Sequence, residues 1–381
     1  MLGELFIIIG IGAMFGKLVA ESGAAQRISK VLINLSGEKH IRWAMMLTGF
    51  VVGIPLFYNV GFVLLIPLVF SVVYQTKLPA LYVGIPLIAS LSVTHGFLPP
   101  HPSPTALVAQ FHADLGSTLL YGIMIAIPAV IIAGPLFSNT LKKIKSTPLH
   151  TFQVKEKPED KLPGTTNSLL TSLLPVLLLA MSTLLPLMKT DDKTFGQIII
   201  FIGDPVIVML LSLMIATFTL GTGTGKSIKE IMEFYGESIK DVSLIFLVVA
   251  GAGALKQILI DSGVSGEIGE MLKSWSVHPL FLGWIIAATI RVCIGSATVA
   301  GLTAAGILAP VITTLNVNPN LMVLSVGAGS LMFSHVNDSG FWLFKEYFNL
   351  SIKDTIRSWS LMETIVSVAG LIGVMILNIF I

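Results

Sequence analysis

The residues best suited to chemistry lie in a proline-rich stretch, residues 94–105, which contains His95, His101 and four prolines. Histidine titrates near neutral pH, so both side chains are suited to binding and releasing protons. Proline interrupts a helix and disfavours helical backbone at the residue before it. The flanking residues are apolar enough to lie within a membrane, where interrupted backbone is tolerated only against protein or a wet cavity. The stretch therefore predicts a binding site in a broken helix.

A second stretch of this kind lies 240 residues further along, where residues 330–335 resemble residues 90–95. It continues into Asp338, and an acid at membrane depth is costly and usually functional. We therefore expect His95, His335 and Asp338 to couple protons to the activity. The alternatives are that both histidines hydrogen-bond the interrupted backbone and that Asp338 caps the half-helix that follows.

Polar residues interrupt two further apolar segments, at 53–61 and 295–301. Interrupted helices leave backbone N–H groups free, and helix N-termini attract anions. Arg291 is able to hold a carboxylate through two parallel hydrogen bonds, and pairing with a structural acid is an equal alternative. The hydroxyl and amide side chains suit a sugar acid, and they equally suit an amino acid. The predicted substrate-binding residues are Asn59, His95, Ser103, Thr105, Arg291, Ser296, Thr298, Asn337 and Ser339.

The sequence lacks the catalytic constellations of soluble enzymes. An intramembrane hydrolase is the alternative from a different class. Such an enzyme would need a metal or an activated nucleophile, and the spacing of the candidate residues supports neither. Its residues would be His95, His101, His335 and Asp338. We therefore predict that the protein is not an enzyme and that it uses no metal or cofactor.

The composition is that of a helical membrane protein. The chain has 381 residues, of which 54% are hydrophobic and 12% are charged, whereas soluble domains carry about 25% charged residues. The apolar runs reach roughly 20 residues, the length of a membrane-spanning helix, instead of alternating as in a barrel strand. The net charge of +2 gives no sign of a nucleic-acid partner.

Uninterrupted apolar runs predict spans, and interrupted runs predict two re-entrant hairpins and two broken helices. The predicted spans are residues 2–20, 117–137, 169–188, 203–220, 241–260 and 361–381. The predicted hairpins are 43–75 and 279–315, and the predicted broken helices are 78–113 and 319–348, the latter interrupted at 335–340. The hydrophilic segments 21–42, 138–167 and 221–240 are predicted connectors.

The two halves of the chain repeat each other. Residues 21–23 match 261–263, and Gly61 matches Gly301, at the same displacement of 240 residues. With residues 21–42 in the cytoplasm, the cytoplasmic segments hold 16 Lys and Arg residues and the outer segments hold three, as the positive-inside rule expects. The repeats then have opposite orientations, which suits alternating access around a site at the membrane midplane.

We accordingly predict an all-α polytopic membrane protein with an inverted repeat. Residues 1–137 form the first repeat, 138–167 form a cytoplasmic linker and 168–381 form the second repeat; segments 21–42 and 221–240 are also cytoplasmic loops. The span at 203–220 has no counterpart in the first half. This difference predicts that the first repeat lacks an N-terminal segment of roughly 40 to 60 residues.

Seven segments resemble the gluconate permease family, the gluconate:proton symporters of the wider ion transporter superfamily. They are residues 12–17, 21–27, 56–62, 94–105, 203–205, 295–300 and 334–348. The resemblance implies uptake of gluconate or a related sugar acid with protons, a scaffold and a transport domain, a homodimer, and a place in a bacterial inner membrane. The sequence differs from the family pattern at Ser103, where the family typically has Gly. Because relatives also carry D-serine and other hydroxy acids, these are the alternative substrates.

Overall fold

The computed structural model describes residues 2–146, 157–184, 201–264, 267, 277–314 and 317–381, which are mostly helical and contain no β-strand. The α-helices of the first part are α1 (Leu2–Ser22), α2 (Ala24–Ser36), α3 (Ile41–Gly53), α4 (Tyr58–Thr76), α5 (Ala80–Phe97), α6 (Pro102–Phe111) and α7 (Leu115–Ile131). Those of the second part are α8 (Thr165–Leu184), α9 (Pro205–Ala216), α10 (Ile228–Asp241), α11 (Ser243–Asp261), α12 (Pro279–Ile294), α13 (Ala297–Leu308), α14 (Pro319–Gly329), α15 (Ser339–Tyr347), α16 (Ile352–Thr355) and α17 (Leu361–Leu377).

Several helices are long and apolar enough to cross a membrane, which confirms an all-helical polytopic protein. Within the described ranges these are Ala80–Phe111, Leu115–Leu141, Thr165–Thr183, Pro205–Thr224 and Ile352–Leu377. α1 and α2, which meet at an angle of 61°, make a sixth span if they are counted together. Residues 147–156 of the predicted linker, 185–188 of a predicted span and 315 of a predicted hairpin lie outside the described residues.

Two of the predicted polar connectors are helical. Residues 21–42 contain α2, and residues 221–240 contain most of α10. α10 begins with a capping box, in which Glu230 accepts the Ser227 N–H at 2.7 Å and donates its own N–H to Ser227 Oγ at 3.3 Å. Each helix packs one apolar face against the rest of the protein and has a polar face on its other side. A search for long apolar runs misses such amphipathic helices, because their average hydropathy is low.

All four predicted interruptions occur, with lengths that differ from expectation. Residues 54–57 separate α3 from α4, and residues 98–101 separate α5 from α6. The third break is only residues 295–296, whereas the fourth extends over 330–338. The fourth begins at Ser330, whose Oγ donates to the Gly327 carbonyl oxygen at 2.8 Å.

The helices before and after each interruption are packed so that the interruptions approach one another. α3 lies along α5, and α12 lies along α14. α5 and α14 cross closely, since a Cβ at Gly327 would lie 2.5 Å from the Gly96 carbonyl oxygen. Only glycine allows this approach. The crossing brings the end of α5 close to the end of α14, so the interruptions that follow these two helices lie near each other.

Candidate functional site

A cavity of about 1170 Å³ lies where the four interruptions meet. Its wall is formed by the start of α4, the end of α5, the turn between α12 and α13, and the start of α15. The predicted site residues on this wall are Asn59, His95, Arg291, Ser296, Thr298, Asn337, Asp338 and Ser339. Residues from four distant segments of the sequence therefore face a single space.

Three helices begin at this cavity and place backbone N–H groups on its wall. α4 begins at Tyr58, α13 at Ala297 and α15 at Ser339, and all three residues line the cavity. Ser296 caps α13 by accepting the Val299 N–H at 3.4 Å. The first N–H groups of a helix lack intrahelical partners and carry partial positive charge. This part of the wall consequently favours an anionic ligand.

Arg291 is buried, with 3% of its side chain exposed, and its Nη2 forms an ion pair with Asp338. Asp338 also accepts a hydrogen bond from the Ser334 hydroxyl, and its Oδ1 caps α15 by accepting the Gly340 N–H at 3.0 Å. Both sequence alternatives thus occur, because Arg291 pairs with an acid and Asp338 caps a half-helix. Nevertheless, Arg291 Nε and Nη1 have no hydrogen-bond partner among the described residues. Two guanidinium donors are therefore left for a carboxylate.

His95 lies on the cavity wall beside Tyr58, with 6.2 Å between the ring centroids. Within the described part of the chain, neither His95 Nδ1 nor the Tyr58 hydroxyl has a hydrogen-bond partner. His101 lies behind His95, with 5.5 Å between ring centroids, and its Nε2 is 2.9 Å from the Gly53 carbonyl oxygen. His101 therefore ties the break after α5 to the end of α3.

Three predicted site residues, Ser103, Thr105 and His335, are not on the cavity wall. Ser103 and Thr105 are buried on α6, which packs against α13. Ser103 Oγ would lie 3.4 Å from a Cβ placed on Gly301 of α13. His335 Nε2 is 2.9 Å from the Val292 carbonyl oxygen, near the end of α12. Ser103 and Thr105 thus form a layer behind the wall, and binding roles for all three residues stay predictions.

Glu363 is a cavity residue that the motif search missed. It lies in α17 with 2% of its surface exposed, and its Oε2 accepts a hydrogen bond from Ser92 Oγ of α5 at 2.9 Å. Both residues line the cavity. A signal was present in the sequence, because Glu363 is the single charged residue in positions 358–381, and acids within a span usually mark function.

Part of the predicted linker also reaches the cavity. Lys157 lines it and donates from Nζ to the Glu21 carbonyl oxygen. Gln26 of α2 holds this segment by bonding the Lys157 main chain, with distances of 3.1 and 3.2 Å, and Arg27 Nε donates to the Pro163 carbonyl oxygen at 2.9 Å. Burial lowers the pKa of Lys157, and the nearby Lys226 acts in the same direction. No pattern in the linker sequence pointed to this contact.

The turn between α12 and α13 requires glycine, and its replacement should destabilise the protein. Gly295 has φ of 86°, and a Cβ there would lie 2.3 Å from the Asn337 carbonyl oxygen. We expect Gly295→Ala to cost about 1–2 kcal/mol from left-handed backbone alone, and the clash with Asn337 adds to this cost. Thermal unfolding in detergent, followed by intrinsic fluorescence, measures the effect. Gly236→Ala is the control, because a Cβ there meets nothing within 4 Å; equal melting temperatures for both variants would contradict the expectation.

Comparison with known protein families gives a match along almost the entire chain. The family model described as GntP family permease matches residues 1–380. A high-affinity gluconate transporter of Escherichia coli (strain K12) is 51% identical over 381 residues, which cover 100% of this chain and 87% of that protein. The Gnt-II system L-idonate transporter of the same strain is 47% identical over 378 residues, 99% of this chain and 86% of that protein. The gluconate permease of Bacillus subtilis (strain 168) is 42% identical over 394 residues, 99% and 87% respectively.

Two solved structures share the fold at low sequence identity. MtrF of Neisseria gonorrhoeae, described as illuminating a class of antimetabolite efflux pumps, has a TM-score of 0.74 and 15% identity, covering 98% of this chain and 81% of that chain. The YdaH transporter of Alcanivorax borkumensis has a TM-score of 0.67 and 16% identity, covering 97% and 84%.

The sequence matches confirm the resemblance drawn from the motifs. The family and these relatives are named permeases or transporters, so the hydrolase alternative is wrong. A permease with several membrane-length helices is a multi-pass protein of the bacterial inner membrane. The chain belongs to the GntP family of permeases.

Proposed function

We propose that this protein is a secondary active transporter that imports gluconate or a related sugar acid together with protons by alternating access. The proposal is carried by one cavity in which unpaired Arg291 donors, helix N-termini and polar side chains meet. Relatives named for gluconate and L-idonate support the substrate class.

Arg291 binds the substrate carboxylate in this proposal. Its Nη2 is used by Asp338, while Nε and Nη1 have no partner among the described residues and are available as charged donors to carboxylate oxygens. The N-termini of α13 and α15 add partial positive charge. The sugar hydroxyls would bind polar side chains of the wall, namely Asn59, His95, Ser296, Thr298, Asn337 and Ser339. Ser103 and Thr105 would act from behind it.

Proton coupling follows from the ion pair. Protonation of Asp338 would neutralise the acid that holds Arg291 and release the guanidinium to the substrate. His95 on the wall and His335 beside α12 are the further proton-handling groups of the proposal. Gluconate is an anion, and an inside-negative potential opposes its entry by about 2.3 kcal/mol per 100 mV. One accompanying proton cancels this charge, and further protons drive accumulation.

Alternating access rests on the proposed inverted repeat. α3 lies along α5 as α12 lies along α14, which supports two equivalent halves at 1–137 and 168–381 with α3–α4 and α12–α13 as re-entrant hairpins. Segments 21–42, 138–167 and 221–240 are cytoplasmic in this arrangement. Because Glu21 and Lys157 line the cavity, we assign the conformation as open toward the cytoplasm. The proposed assembly is a homodimer.

Transport into liposomes tests the function. Purified protein should accumulate labelled gluconate when an inward proton gradient is imposed, and a protonophore should abolish the accumulation. If gluconate uptake did not depend on the proton gradient, the symport mechanism would be rejected. L-Idonate, D-serine and other hydroxy acids, added as competitors, identify the preferred substrate. Stronger competition by D-serine than by unlabelled gluconate would replace the sugar-acid assignment with the amino-acid alternative.

Ser103→Gly should change substrate preference more than it changes folding. The Ser103 hydroxyl lies behind α13, beside Gly301. Its removal allows α13 to shift, and with it the wall side chains that bind the substrate. The relative inhibition by L-idonate and D-serine should therefore differ between Ser103→Gly and the wild type. The competition panel measures this change, and identical profiles in both proteins would argue against a role for Ser103 in selection.

A further inference from the structure

Glu363 differs from Asp338, another acid of the cavity, in its surroundings. Its Oε2 accepts from Ser92, and its Oε1 makes no hydrogen bond within the described residues. No Lys, Arg or His nitrogen of the described residues lies within 4.0 Å of its carboxylate, whereas Asp338 is paired with Arg291. A buried charge is costly unless it is paired. Binding a proton from the cavity removes this cost for Glu363.

The groups that act on Glu363 belong to the same cavity. Arg291 and Asp338 line this cavity together with Glu363. Tyr58 and His95 also lie on this wall, and α14, which packs against α17, carries no titratable side chain. Because Nη2 of Arg291 is already bonded to Asp338, loss of the Glu363 proton would place a second negative charge in the cavity without a cation of its own. A substrate carboxylate on Arg291 would add a third negative charge, so substrate binding and protonation of Glu363 favour each other.

We propose that Glu363, hydrogen-bonded by Ser92, is a proton-carrying site of the transport cycle, separate from the Arg291–Asp338 pair. This inference rests on the proposed function. The proton forms an O–H bond with the Glu363 carboxylate as the anionic substrate binds, and that bond breaks when the substrate leaves on the other side. Ser92 keeps the carboxyl oriented toward the cavity throughout. A proton here, in addition to one that neutralises the substrate charge, gives each transport event a net positive charge.

The test counts protons and charges per gluconate in liposomes. For the wild type, a potassium diffusion potential of 100 mV, inside negative, should by itself support about 50-fold accumulation for one net positive charge. Glu363→Gln should carry one proton fewer per gluconate, measured with an internal pH dye against labelled gluconate. It should also lose most of the potential-driven accumulation while it still exchanges internal for external gluconate. An unchanged ratio of protons to gluconate in this variant would overturn the proposal.

Two further variants separate coupling from folding. Glu233→Gln alters an exposed acid of α10 and should leave the proton ratio unchanged. Glu363→Asp keeps a titratable carboxyl but is too short to keep the Ser92 bond unchanged, so it should retain the coupled proton with a shifted pH profile of uptake. If Glu363→Gln fails to elute as a folded protein, an unshifted profile in Glu363→Asp overturns the proposal. Failure of the wild type to transport gluconate would instead reject the proposed function.

Discussion

Arg291→Gln should weaken gluconate binding by about 10- to 100-fold. Hydrogen bonds to charged groups are worth about 1.5–3 kcal/mol, and glutamine can neither supply the positive charge nor replace both donors that Arg291 keeps unpaired. Isothermal titration of the detergent-solubilised protein with gluconate measures the loss directly. Arg291→Lys should recover only part of the affinity, because lysine restores the charge but not the fixed directions of the guanidinium donors.

Removal of Arg291 also leaves Asp338 without its cation, and an unpaired buried charge destabilises a protein by itself. Arg291→Gln combined with Asp338→Asn controls for this effect, since the double variant should fold well and still bind poorly. Arg357→Gln replaces an exposed arginine away from the cavity and should bind gluconate normally. If the single Arg291→Gln variant bound gluconate as tightly as the wild type, the carboxylate site would have to lie elsewhere.

Asp338→Asn should remove one of the coupled protons and so weaken proton-driven accumulation. Asparagine can still cap α15 through its side-chain oxygen, but it cannot bind a proton or hold Arg291 by charge. One coupled proton supports about tenfold accumulation per pH unit, and the variant should lose this factor. Labelled uptake under an imposed pH gradient measures accumulation, and gluconate exchange without a gradient shows whether the substrate still binds.

Asp204→Asn is the matched control for this substitution. Asp204 caps α9 by accepting the Val206 N–H at 2.9 Å, just as Asp338 caps α15 at Gly340, but it is absent from the cavity wall. The control variant should transport normally. Full coupled accumulation by Asp338→Asn would assign the proton that neutralises gluconate to another group, with His95 the first to examine.

Residue type alone determined much of the secondary structure of this protein. The prolines of 94–105 interrupt a helix, and the glycines and polar residues near 295 and 338 favour helix ends over helix interiors, so the positions of the interruptions followed from residue type. Their lengths did not. The fourth break already begins at Ser330, and α2 and α10 were predicted as connectors because amphipathic helices have a low average hydropathy.

Tertiary structure alone decided which of these residues meet. Arg291 and Asp338 are 47 positions apart, and Ser92 and Glu363 are 271 apart, so no local preference of the chain specifies either contact. Close packing of α5 on α14 places four interruptions around one cavity. Ser103 and Thr105 lie behind the wall of this cavity. The packing also brings Lys157 from the linker and Glu363 from α17 to the same space. Residue type thus determined where the helices are interrupted and which side chains are suited to binding an anion or a proton. Helix packing determined which of these side chains meet in one cavity, because contacts between distant residues depend on complementary surfaces rather than on sequence neighbours.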